Sequence, residues 1–405
     1  MHRRPPARPQ LQFWSNGDTT EGRSAWSVLL GLGLVAAAAA CGAVATVTGE
    51  DDTSSAAGEL RCNIPEDRIS GSGGARGGIP ALTDPATVPE GASGPSWLGP
   101  RTRVVGVAVG DTAIAVPMNI LWYHEVVNFD LERRPITVSH CPLTGSTLVF
   151  DRTPLDGEHF VVSGLVYMSN LIMATRETGK SLFPQMEGAF RCGPESGERL
   201  NPVPYLQTTW SHWRELHPET SVLSARTGHD RNYPDYPYGR YRNPDNSKTA
   251  FPVPELDPRR PPKEMVLGIP SPDRATVGDH ERRGTAVPFG ELREEGRRAA
   301  VEIDESGRRY VLFWDSIAPA ARAFHPTVAE GPGAGRRLSF EVSDGAFRDR
   351  ETGSVWGMNG VADRGELAGA RLEHAEEPYL AFWFAWALFQ PDTQIWEASG
   401  GSQGG

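Results

Sequence analysis

His124-Glu125 and His140-Cys141 place two imidazoles, a carboxylate and a thiol close together in the chain. Cysteine with histidine suits a borderline or soft metal, copper or zinc, and a nearby methionine such as Met168 favours copper(I). The same groups suit covalent catalysis, with Cys141 as nucleophile and His124 as its base. The candidate metal ligands are therefore His124, His140 and Cys141. Glu125, Asn128, Met168 and Asn170 are their candidate supporting neighbours. No Cys-x-x-Cys or His-x-x-x-His pair reinforces the metal reading. A third reading is a buried structural cysteine, which is the common fate of an isolated thiol. Neighbours on an extended strand face opposite ways, which would separate His140 from Cys141. Pro142 and Gly145 predict a turn there, which relaxes that limit.

The elements that must carry these residues occur twice. Arg176-Glu177-Thr178-Gly179, Gly197-Glu198-Arg199-Leu200, Trp210-x-x-Trp213, His217-Pro218-Glu219-Thr220 and Ala225 form one series. Arg350-Glu351-Thr352-Gly353, Gly369-Ala370-Arg371-Leu372, Trp383-x-x-Trp386, Gln390-Pro391-Asp392-Thr393 and Ala398 form the other, in the same order. The pattern predicts an internal duplication. The expected fold is mainly β with a few short helices (α+β), in two tandem homologous domains. Residues 63–225 form the first (core 104–225) and 263–398 the second, joined by an irregular Tyr/Pro-rich connector at 226–262. Only the first copy carries the His124 and His140-Cys141 blocks. Aligning Phe324 with Phe150 sets Asp315 opposite Cys141 and Trp314 opposite His140, which moves the unshared residues toward function.

Within the first copy, Val104–Val109 and the run ending at Val116 flank Gly110-Asp111 as a hairpin. Ile136–Val138, Thr147–Phe150 and Ser221–Leu223 read as strands. Thr208-Thr209 caps a short helix through Trp213 and Leu216, which Pro218 ends. His217, at that end, is expected to cap it and to favour the helix dipole. Both Arg-Glu-Thr-Gly segments read as turns with glycine at positive φ. Tyr379–Phe389 is apolar on every side and reads as a buried helix. Tyr233, Tyr236, Tyr238 and Tyr241 read as a staple holding the connector to the domains, or as a groove lining.

Arg3, Arg4, Arg8 and Arg23 precede an uncharged stretch, Ser24 to Gly49, with an apolar heart from Trp26 to Ala40. Residues 1–41 read as a lipoprotein signal with lipidation at Cys41, or as an uncleaved N-terminal anchor. Residues 42–62 read as a flexible tether and 399–405 as a disordered tail. The expected location is the cell envelope, outside the cytoplasm, with the membrane as one partner. The 405-residue chain carries a formal net charge of −11. That balance argues against nucleic acid as a partner. If Cys41 carries lipid, Cys62, Cys141 and Cys192 allow one disulfide in three possible pairings.

His124-Glu125-Val126-Val127-Asn128, Ser139-His140-Cys141-Pro142-Leu143-Thr144-Gly145 and Ser163 to Leu171 are similar to the signature blocks of a bacterial and archaeal family, domain of unknown function 3179. Gly78 to Pro85, Phe382 to Trp386 and Pro391-Asp392-Thr393 also resemble it, so the likeness covers about residues 66–397. The resemblance implies an exported, often membrane-attached protein and implies no activity. The family's cysteine block usually reads Cys-Pro-Leu-Cys, and here Thr144 replaces the second cysteine. That removes a dithiol redox pair or a two-thiolate metal site at this block. The functions left open are copper or zinc binding, a cysteine-dependent enzyme, and a non-catalytic surface binding module.

Overall fold

A computed structural model describes residues 62–71, 78–89, 94–179, 181–272 and 282–398. These residues belong to one compact unit, Ala57–Gly405. The signal or anchor at 1–41, the lipidation site Cys41, nearly all of the tether and the tail lie outside the described residues. The fold is mainly β, with 42% strand, 11% helix and four α-helices among the described residues. Each α-helix runs only six or seven residues. Among the described residues no helix is long and apolar enough to cross a membrane.

The largest sheet joins the two halves of the chain. Its eight strands run, in spatial order, Leu82–Thr83, Val126–Leu131, Arg134–Cys141, Ser146–Asp151, Tyr379–Phe382, Met265–Pro270, Gly284–Pro288 and Gln394–Ile395. The seam is the antiparallel pairing of Leu380 with Thr147. A five-stranded sheet holds the Arg103–Val109 and Thr112–Pro117 hairpin between Tyr205–Thr209 and Ser221–Leu223, with Thr87–Val88 at its edge. Three four-stranded sheets complete the fold.

The cores cross the seam as well. One packs Phe150, Phe160 and Phe183 of the first half against Trp383, Phe384 and Trp386 of the second. Another packs Val104 and Trp213 of the first half against Phe313, Phe324 and Trp356 of the second. Burying one indole of roughly 200 Å² is worth on the order of 5 kcal/mol before entropy is counted. These interlocked contacts therefore bind the halves strongly.

The two W-x-x-W segments sit in the same local arrangement. In the first, Thr209 is the N-cap of helix Trp210–Leu216, its hydroxyl accepting from His212 N. Trp213 closes over Gly106, and its indole Nε1 donates to Thr220 Oγ1 at 2.8 Å. In the second, Trp386 closes over Gly268 and donates to Thr393 Oγ1 at 2.7 Å. Ser221–Leu223 then pairs parallel to Thr112–Pro117, as Gln394–Ile395 pairs parallel to Gly284–Pro288.

Two local readings need correction. Tyr379–Phe382 is a strand, and only Trp383–Phe389 is helical. An all-apolar run has no period to separate a buried strand from a buried helix. His217 does occupy the C-cap of helix Trp210–Leu216, but not as a cation favouring its dipole. Burial, with the Arg322 and Arg371 charges nearby, lowers its pKa to about 4. Gly179 and Gly353 both take positive φ, as the turns require.

Candidate functional site

Cys141 ends the strand Arg134–Cys141 and is 1% exposed. Its thiol points toward the Ser169 carbonyl, 3.8 Å away, and belongs to the core around Phe150 and Met168. Burial pushes the thiol pKa up to about 11, and the charge of Glu125 adds to this. Hydrogen bonding from Thr144 opposes the shift without reversing it. The group is therefore a protonated, shielded thiol at neutral pH, unlike the depressed thiols of reactive cysteines.

Glu125 follows helix Met118–His124 in the left-handed region, at φ 57. Its N–H donates to Leu121 O at 2.8 Å, and its carbonyl accepts from His140 N at 2.7 Å. Those two bonds fix the backbone where helix turns into strand. The side chain is 6% exposed, and no described group hydrogen-bonds its carboxylate. Burial raises its pKa to about 8, so it is mostly a neutral acid at pH 7. Met168 and Ser169 form the tight turn between strands Phe160–Tyr167 and Asn170–Thr175. Both take positive φ, 48 and 65, which a two-residue primed turn demands. Such conformations cost non-glycine residues on the order of 1 kcal/mol each. Three strained residues thus lie around one thiol.

His124 turns its ring away to a different task. Its Nδ1 lies 2.7 Å from the Pro80 carbonyl, and its Nε2 lies 2.7 Å from the Tyr233 hydroxyl. A carbonyl only accepts, so Nδ1 carries the proton and Nε2 accepts from Tyr233. Tyr233 then accepts from Thr227 Oγ1 at 2.5 Å. Burial lowers the ring's pKa to about 4, keeping it neutral. His140 precedes Cys141 on the same strand and projects to the opposite face. The turn begins only after Cys141, so it does not bring the pair together. His140 Nδ1 lies 3.0 Å from Thr147 Oγ1, and burial lowers its pKa to about 3.

His124, His140 and Cys141 therefore do not form one donor set. Among the described residues no three His, Cys, Asp or Glu side chains are placed to hold a metal ion. Asn128 is a structural bracket: its amide donates to Leu82 O and Phe160 O and accepts from Thr137 and Phe160 N. Asn170 anchors the Cys141 turn, donating to Thr144 Oγ1, Ser146 Oγ and Gln185 Oε1. Met168 Sδ lies 3.9 Å from an Arg68 nitrogen, which donates to it. Sequence reasoning missed Ser139, Ser146 and Gln185, which complete this buried network. It also missed that the connector covers the site. The Tyr241 hydroxyl donates to Leu143 O at 3.0 Å, and Ser169 Oγ donates to Phe251 O at 3.4 Å.

A separate cleft of about 1090 Å³ opens where the halves meet. Gly106, Ala108, Trp213 and His217 form its first-half wall, and Arg308, Arg322 and His374 belong to its second-half wall. Arg308 is paired with Glu377 at 2.5 Å. Arg322 has no carboxylate partner among the described residues. Its Nη2 donates to His374 Nδ1 at 3.2 Å, and its guanidinium lies 5.1 Å from the Phe324 ring centroid. Desolvation lowers its pKa to about 10, which leaves it charged at neutral pH. The His217 ring lies tilted against Trp213 with centroids 4.1 Å apart, and its buried Nε2 has no hydrogen-bond partner among the described residues. No spacing signal marked this cleft, because its walls come from distant parts of the chain.

Residues 76–393 match the family model described as protein of unknown function, DUF3179. No curated protein and no solved structure matches the chain.

Proposed function

We propose that this chain, which belongs to the DUF3179 family, is a non-catalytic binding module acting outside the cytoplasm and taking its ligand in the cleft between its halves. The observation that carries this reading is the contrast between two places. The cleft is large, open to solvent and lined by charged groups, and its volume of about 1090 Å³ lies just above the usual range of ligand sites, roughly 300–1,000 Å³. The Cys141 region is sealed, its thiol is held protonated, and both candidate histidines are engaged elsewhere.

The test is a crystallographic screen of sugar and peptide fragments against the protein and Ala108→Trp, which fills the cleft from an exposed position. Fragments should gather in the cleft and be lost in the variant. Fragments scattered elsewhere, with the cleft empty, would sink the reading.

Attachment through lipidated Cys41 or an N-terminal anchor fits the basic-then-apolar start of the chain. The Cys62–Cys192 disulfide supports an oxidising compartment. We also infer that the halves arose by duplication, supported by the matching Trp213-Gly106-Thr220 and Trp386-Gly268-Thr393 arrangements.

A second reading keeps Cys141 as a nucleophile. Its support is the Glu125 carboxylate, buried beside the thiol without a hydrogen-bond partner among the described residues, where an acid able to exchange a proton would be useful. Fast alkylation near neutral pH that slows in Glu125→Gln would favour it, and sluggish labelling would remove it.

A further inference from the structure

One wall of the cleft is unbalanced in charge and in hydrogen-bonding character. Arg322 lies on strand Ala320–Glu330, whose Phe324 pairs with His374 across the sheet. Phe324 and Leu372 pack into the core that also holds Trp213, so Arg322 and His374 emerge at the rim of that core. His374 Nδ1 accepts from Arg322, which leaves the His374 proton on Nε2. The group thus offers guanidinium N–H donors and an imidazole N–H, backed by Arg371. His217 is half-buried and His374 is exposed at the cleft wall; desolvation there and the charges of Arg322 and Arg371 lower both rings' pKa values, to about 4 and about 3, and no carboxylate contributes at either ring.

Carboxylates do line the same cleft: Asp111, Glu330, Glu373 and Glu376. None of them makes an ion pair with Arg322 or Arg371 among the described residues. Glu377 is taken by Arg308. Arg322 is only partly buried, so it stays open to a ligand, and a counter-charge supplied there would form charge-assisted bonds with its guanidinium. The Phe324 ring, buried beneath it, holds the Arg322 guanidinium 5.1 Å from its centroid and so helps to fix its position on the cleft wall.

We infer that Arg322, with His374 and Arg371, binds the oxyanion of a ligand lodged in the cleft, a phosphate or a carboxylate. This rests on the cleft being the binding site and adds the chemical class of what it holds. The planar guanidinium suits two parallel N–H···O bonds to either anion, and the His374 Nε2–H supplies a further donor.

The experiment is thermal unfolding of the full chain with inorganic phosphate, and separately with acetate, against sodium chloride at equal ionic strength. The expected result is a saturable stabilisation by at least one of the two anions beyond that of chloride. Arg322→Gln should weaken that anion's apparent affinity at least tenfold, and Arg322→Lys should restore part of it. A stronger response to phosphate or to acetate names the source of the oxyanion. Should Arg322→Gln fail to fold, the His374 imidazole resonance of the unaltered protein, assigned with His374→Asn, is followed during titration and should shift saturably. No anion-specific stabilisation, an unchanged response in Arg322→Gln, or a still His374 resonance would overturn the inference. Neutral fragments seated in the cleft alongside such a failure would leave the binding module standing and remove only the anion.

Discussion

Trp213 lies so close over Gly106 that a Cβ there would fall under 3.0 Å from its ring. Trp386 imposes the same restriction on Gly268. Both indoles are fixed from the other side by a threonine hydroxyl, so neither can retreat without losing a buried hydrogen bond. Gly106→Ala and Gly268→Ala are each expected to destabilise by about 1–3 kcal/mol through overpacking. Gly99→Ala, which meets nothing within 4 Å, should change stability by less than about 0.5 kcal/mol. Urea unfolding of the three variants checks this, and equal costs at all three would show that the rings are not locked.

The disulfide joins Cys62 to Cys192 across 130 residues of sequence. Closing so long a loop restricts the unfolded chain strongly, and losing such a bond typically costs about 2–5 kcal/mol. Reduction without denaturant, followed by thermal unfolding, should lower the transition temperature clearly. Cys62→Ser should reproduce most of that loss, and Cys141→Ser should not. A protein indifferent to reductant would contradict the pairing.

The pH dependence has two arms with opposite signs. Glu125 has a folded-state pKa of about 8, above its usual carboxylate value. Between those values the folded form holds more protons than the unfolded one, so stability falls as pH rises across that window. Glu125→Gln removes this penalty and should gain on the order of a few kcal/mol at pH 9 while changing little at pH 4. His124 and His140, at about 4 and 3, work the other way. Each is buried neutral, so stability falls as pH drops below the usual histidine value toward those folded values. Unfolding curves from pH 4 to 9 should show a maximum between the arms. A flat alkaline arm in both wild type and Glu125→Gln would reject the buried-acid assignment.

Cys141, with its pKa near 11, should be thiolate in only on the order of one molecule in ten thousand at pH 7. Iodoacetamide labelling followed by mass spectrometry should be at least tenfold slower in the native protein than in denaturant. Fast native labelling would revive the nucleophile.

Much of the scaffold was legible because short-range signals fix it. The Gly110 hairpin, the Thr209 cap with its Pro218 stop, and the Gly179 and Gly353 turns each follow from a few neighbouring residues. What was not legible depends on contacts between distant segments. Nothing in Tyr379–Phe382 announces that it will complete a sheet with Ser146–Asp151. Nothing local sends His124 to Tyr233 rather than to Cys141, although the two histidines and the thiol look like one set in the sequence. The alternation rule did place His140 and Cys141 on opposite faces, and Pro142 arrives one residue too late to change that.

The bond between His124 and Tyr233 gives the last prediction, because it ties the connector to the first half. Tyr233→Phe removes the hydroxyl that donates to His124 Nε2 and leaves Thr227 without that acceptor. Leaving a buried ring nitrogen unsatisfied costs about 1–3 kcal/mol. The loss should be local, since Tyr123 and Asn119 hold the same segment through the carbonyls of Asn232, Tyr233 and Asp235. Hydrogen exchange should therefore quicken across residues 226–242 and leave strand Arg134–Cys141 protected. Quickening that spreads through that strand would mean the connector is an integral layer of the core instead of a stapled cover.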